Sequence, residues 1–106
     1  MNLKNELQPI RDWAEQKGIY EKGDLKTQTL KLIEEAGELS KSVLNNDKEE
    51  IIDAIGDCVV VLTSIAKLAE QHFKEEITIE SCVNIAYHVI AKRKGKMENG
   101  TFIKDN

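Results

Sequence analysis

Six carboxylates fall into two short runs, Glu34, Glu35 and Glu38 in the first and Glu50, Asp53 and Asp57 in the second. On a helix, separations of three and four residues put side chains on adjoining parts of one face, so each run makes an acidic face. Two such helices packed antiparallel through their apolar sides would set both acidic faces beside one groove. Like charges that converge in this way repel unless a cation or a proton relieves them. Hard oxygen donors without a His or Cys pair nearby suit magnesium or manganese rather than zinc. Magnesium keeps several waters and binds phosphate oxygens, so such a groove suits a nucleotide. A pair of ordinary solvated faces is the alternative that spacing alone leaves open.

Cations stand at two further places. Lys31 lies four residues before Glu35, where it can pair with that carboxylate or contact a phosphate. Lys92, Arg93, Lys94 and Lys96 precede a turn and Lys104 follows it, an arrangement able to fold over a triphosphate. Compensation of a helix dipole accounts for the first three but not for Lys104. Trp13, with Tyr20, can stack on a base or fill a core. Cys58 and Cys82 have neither metal-ligand nor disulfide spacing and read as small buried hydrophobes. His72 and His88 lack partners at ligand or triad spacing, and no serine sits in a nucleophile motif.

The elements that position these groups are helical. Breaks at 18–24, 45–47, 75–78 and 95–100 separate four segments, expected as helices over about 3–17, 24–45, 48–72 and 79–94 with a tail at 95–106. Asn2 caps the first, which carries Leu3, Leu7, Ile10, Trp13 and Ala14, with Pro9 in its first turn or bending it. Asp24, Asp47 and Thr78 cap the others. The third segment has the strongest period, a seam of Ile51, Ile55, Cys58, Leu62, Ile65 and Ala69. Gly37 and Gly56 interrupt helical patterns at about 1 kcal/mol each against alanine, and each would permit close helix approach beside the carboxylates. Gly95 ends the fourth helix, and the tail reads as a turn and a short extended piece. The fold class is therefore all-α, a four-helix bundle with a short extended C-terminal tail.

One domain of 106 residues accommodates all of this. The longest apolar run, 58–62, is too short for a membrane span, and the N-terminus lacks an apolar leader core, so a cytoplasmic protein without membrane contact is expected. A net charge of -4 argues against a nucleic-acid polymer as partner. That sum conceals opposed regions: residues 34–57 hold eight acidic and two basic side chains, residues 92–104 five basic and one acidic. An acidic groove that gathers metal and a basic tail that gathers phosphate fit a metal-nucleotide ligand.

In order along the chain, Trp13-Ala14, Gln28, Lys31, Glu34-Glu35-Ala36-Gly37-Glu38, Asp53-Ala54-Ile55-Gly56-Asp57, Arg93-Lys94-Gly95-Lys96-Met97 and Gly100-Thr101-Phe102-Ile103-Lys104 resemble the MazG-like all-α nucleoside triphosphate pyrophosphohydrolases, especially the small phage and bacterial type. The resemblance implies a helical bundle completed by oligomerisation as a homodimer or homotetramer. It also implies hydrolysis of an NTP or dNTP to the monophosphate and pyrophosphate by water activated at magnesium, with manganese an alternative, in cleansing of the nucleotide pool. Glu35, Glu38 and Asp57 take ligand roles, with Glu34 a further ligand or the base orienting water, a part Glu35 can also take. Lys31, Trp13, Arg93, Lys96 and Lys104 are the candidate substrate contacts beside that set. The family usually has glutamate three residues before the last aspartate, where this chain has Ala54; Asp53, on the same helical face as Asp57, is the candidate replacement. A non-catalytic nucleotide sensor and a helical protein-interaction module are the other readings kept in view.

Overall fold

The computed structural model describes residues 3–106, with the side chain of residue 3 left out. Five helices precede a hairpin: α1 (Leu3–Gln16), α2 (Ile19–Lys22), α3 (Leu25–Leu44), α4 (Lys48–Phe73), α5 (Ile79–Ile90), β1 (Gly95–Glu98) and β2 (Thr101–Lys104). The Asn2 cap lies outside the described residues. Pro9 is inside α1, and the one-turn α2 was not expected. None of the described helices is long and apolar enough to cross a membrane.

Helix starts follow their caps. The Asp24 carboxylate accepts from the Thr27 N–H at 2.8 Å, Asp47 from Glu50 at 3.1 Å, and Thr78 and Ser81 form a reciprocal capping box. The short 45–47 link folds α3 back on α4 as an α-hairpin, with Asn46 in the left-handed region. Helices α1 and α2 pack on α4, whereas α5 touches it lightly. Buried residues thus centre on α4: Ala54, Val61, Ala66 and Leu68, with Thr63 and Ser64, covered by Leu7 and Ala14 of α1 and Tyr20 of α2. Thr63 and Ser42, also buried, satisfy their hydroxyls on the carbonyls four residues back, Val59 and Glu38.

Three expectations need correction. The α4 seam is rotated: Ala54, Val61 and Leu68 are buried while Ile55 and Leu62 are exposed. Helix α4 is apolar over most of its circumference, so periodicity alone does not choose a face. Cys82 is exposed and Cys58 half-buried rather than both being buried. Helix α5 stops at Ile90, four residues early, because Lys92 and Arg93 bond back only three residues to Val89 and Ile90, tightening the chain out of the α-helix. Gly95 opens a strand instead of ending a helix. A Cβ there would collide with the Ile103 carbonyl and the Phe102 ring of the paired strand, so glycine permits the approach. The antiparallel pair Gly95↔Lys104 to Glu98↔Thr101 closes through Asn99 (φ 49°) and Gly100 (φ 82°), the two left-handed residues of a type I′ turn.

Candidate functional site

The α3–α4 hairpin sets Glu35 of the first acidic run near Asp53 and Asp57 of the second. Lys31 Nζ stands 3.3 Å from Glu35 Oε1 and 3.4 Å from Glu34 Oε1, and these contacts raise the lysine pKa, the Glu35 hydrogen bond foremost. The Glu35 side chain is only 15% exposed. Across the hairpin, Asp57 is pushed up from the ordinary aspartate range, first by burial, then by the charges of Asp53 and Glu35, with Lys31 opposing. Glu35 of α3 and Asp53 and Asp57 of α4 thus share one electrostatic neighbourhood, with Lys31 inside it. Glu34 lies exposed beside Lys31, and Glu38 lies exposed one turn further along α3. Among the described residues, no three His, Cys, Asp or Glu side chains stand close enough to hold a metal ion as they are placed. Carboxylates are the right donors for magnesium or manganese, but Glu35 is turned to Lys31.

Ala54, at the position of the usual family glutamate, is 4% exposed. A long side chain there would enter the packed interior, while neighbouring Asp53 is exposed and within reach of Asp57. Gly37 and Gly56 do not serve the α3–α4 contact: nothing lies within 4 Å of a Cβ built on either.

Of the expected phosphate contacts, Arg93 and Lys104 come together with Lys92 and Lys94 around a cleft of about 440 Å³. Lys96 on β1 stays outside that cleft and faces Glu98 at 3.5 Å. Trp13 on α1 is 47% exposed; Tyr20 is buried and cannot stack on a base where it stands. A second cavity of about 520 Å³, lined by α1, α2, α4 and the start of α5, was not anticipated. Arg11 donates to both Glu80 oxygens there, at 2.9 and 2.8 Å, which holds Glu80 below its usual range. Sixty-nine residues separate the pair, and no local pattern announces it. The Tyr20 hydroxyl is enclosed beside this cavity without a hydrogen-bond partner among the described residues, and burial raises its pKa.

The chain is helical up to its C-terminal hairpin, and its two longest helices bring carboxylates and a lysine to one side. Within it, the MazG nucleotide pyrophosphohydrolase domain matches residues 24–97, and the chain belongs to that family. The matched stretch holds both acidic helices, α5 and the basic residues through Lys96; Trp13 and Lys104 lie outside it. An uncharacterized 18.2 kDa protein of the rep-hol intergenic region of Haemophilus phage HP1 (strain HP1c1) is 39% identical over 66 residues, 62% of this chain. The match spans 40% of the phage protein's length. No solved structure matches the chain.

Proposed function

We propose that the protein is a divalent-metal-dependent pyrophosphohydrolase that cleaves an NTP or dNTP to the monophosphate and pyrophosphate. The observation that carries this reading is the convergence of Glu35, Asp53 and Asp57 beside Lys31, within the stretch matched by the family. Glu35, Glu38, Asp53 and Asp57 would hold the metal. A bound magnesium neutralises phosphate charge and makes water more acidic. Lys31 would meet a phosphate oxygen, and Glu34 or Glu35 would orient the water and take its proton. Arg93 and Lys104, grouped at the hairpin base, offer charge to the leaving pyrophosphate, with Lys96 nearby on β1. Trp13 offers a face to the base.

The test is pyrophosphate release from a panel of NTPs and dNTPs with magnesium, comparing the wild type with Glu38→Gln and Asp57→Asn. Both variants lose turnover and magnesium affinity on this reading. Ala54 in place of the usual glutamate favours one rival, a nucleotide sensor, for which nucleotide binds with magnesium and is recovered intact. A protein-interaction module instead shows no thermal shift with magnesium at all.

A further inference from the structure

We propose that the cavity between α1, α4 and the start of α5 binds a small aliphatic amine carrying two or more ammonium groups. Its volume, about 520 Å³, falls within the roughly 300–1,000 Å³ of small-molecule pockets. None of its lining residues belongs to α3, and none is Asp53 or Asp57, so it is separate from the acidic groove.

Charge decides the class of ligand. The lining holds five acidic side chains, Asp12, Glu15, Glu70, Glu76 and Glu80, against three basic ones, Lys4, Arg11 and Lys67. Arg11 is engaged with Glu80 and Lys67 with Glu70, each at 2.8 Å. Among the described residues, no cation stands at ion-pair distance from Asp12, Glu15 or Glu76. Such an excess admits a cation and repels a phosphate. The first turn of α5, which borders the cavity, is closed by the Thr78–Ser81 capping box and so makes a poor anion site.

Carboxylates alone would describe a solvated rim, and Tyr20 makes the difference. It lines the cavity and is 9% exposed, and its hydroxyl has no hydrogen-bond partner among the described residues. Arg11, Asp12 and Glu15 act electrostatically on that hydroxyl, which sets it on the wall they share. An enclosed hydroxyl without a partner costs stability, and a ligand N–H that donates to its oxygen recovers that cost. A metal ion does not fit here: among the described residues no three carboxylates stand close enough to hold one. The negative charge is spread along the wall, so the cation that answers it carries its own charges apart. Ile77 and Ile79 give the methylenes between them an apolar contact.

Calorimetric titration of the full-length protein with putrescine and spermidine tests the site, with sodium chloride at matched ionic strength as control. Saturable binding at one site per chain is expected, with a rise in melting temperature that the salt does not give. Tyr20→Phe and Glu15→Gln each weaken binding about tenfold, the worth of one hydrogen bond to a charged group. Tyr20→Phe keeps the packing of the ring, and Asp57→Asn binds the amine as the wild type does. Absence of saturable binding would overturn the proposal, as would a melting shift that sodium chloride reproduces. So would binding that Asp57→Asn abolishes and Tyr20→Phe leaves intact, which would put the amine in the α3–α4 groove. The titration does not read pyrophosphate release, so this site and the proposed reaction stand or fall separately.

Discussion

At the residue scale, Ala54 and Tyr20 carry consequences that side-chain type alone does not convey. Ala54 is packed against its surroundings, so restoring the family glutamate there inserts a charged side chain into the interior. Ala54→Glu is expected to cost at least about 2 kcal/mol in denaturant unfolding and to bring no gain in pyrophosphate release. Asp53→Asn, at an exposed position, leaves stability nearly unchanged but lowers turnover about a hundredfold if Asp53 is a ligand. Tyr20 is the converse case, a hydroxyl enclosed without a partner among the described residues. Removing it in Tyr20→Phe is expected to raise stability by about 1 kcal/mol, read from the urea midpoint at constant slope. The acidic runs and Lys31 were legible because three- and four-residue spacing on a helix is a local property. The burial of Tyr20 and the exposure of Cys82 depend on which elements meet, and no local pattern encodes that.

At the element scale, capping and turn chemistry made α3, α4, α5 and the hairpin turn readable from Asp24, Asp47, Thr78 and Asn99-Gly100. What stayed hidden was the angular setting of α4, since apolar residues on most sides permit several faces, and the strand pairing around Gly95. The tie from α1 to the start of α5, Arg11 to Glu80, joins distant parts of the chain and has a pH signature. Glu80 is depressed below its ordinary 4.5 by the Arg11 hydrogen bond, and Glu70 likewise by Lys67 and the Ile77 N–H. A depressed carboxylate contributes stability above its unfolded pKa and loses it as pH falls through the folded value. Thermal stability is therefore expected to drop as pH is lowered below about 4.5, with a shallower slope in Glu80→Gln. That variant should also cost about 1 kcal/mol at neutral pH by leaving Arg11 half-paired.

At the scale of the whole molecule, the opposition of an acidic α3–α4 hairpin and a basic tail was present in the sequence, but the apolar surface left uncovered was not. Periodicity placed Ile55 and Leu62 in a packed seam, and one chain buries neither of them, nor Val83 and Tyr87 of α5. The acidic face has a further global consequence, because Asp57 works against folding when ionised. Its raised pKa means that its contribution to stability is present below the unfolded value and is lost as pH rises through the folded one. Without divalent metal at neutral pH, Asp57→Asn is therefore expected to melt at a higher temperature than the wild type. With saturating magnesium the order reverses. A ligand that binds only the folded state adds about 2.7 kcal/mol at a hundred times its Kd, and the variant, short of a ligand carboxylate, gains little of this. Chelation should restore the first order. Melting curves of both proteins with and without magnesium check the crossing. Parallel curves in both conditions would mean that the carboxylates repel one another without a metal to relieve them.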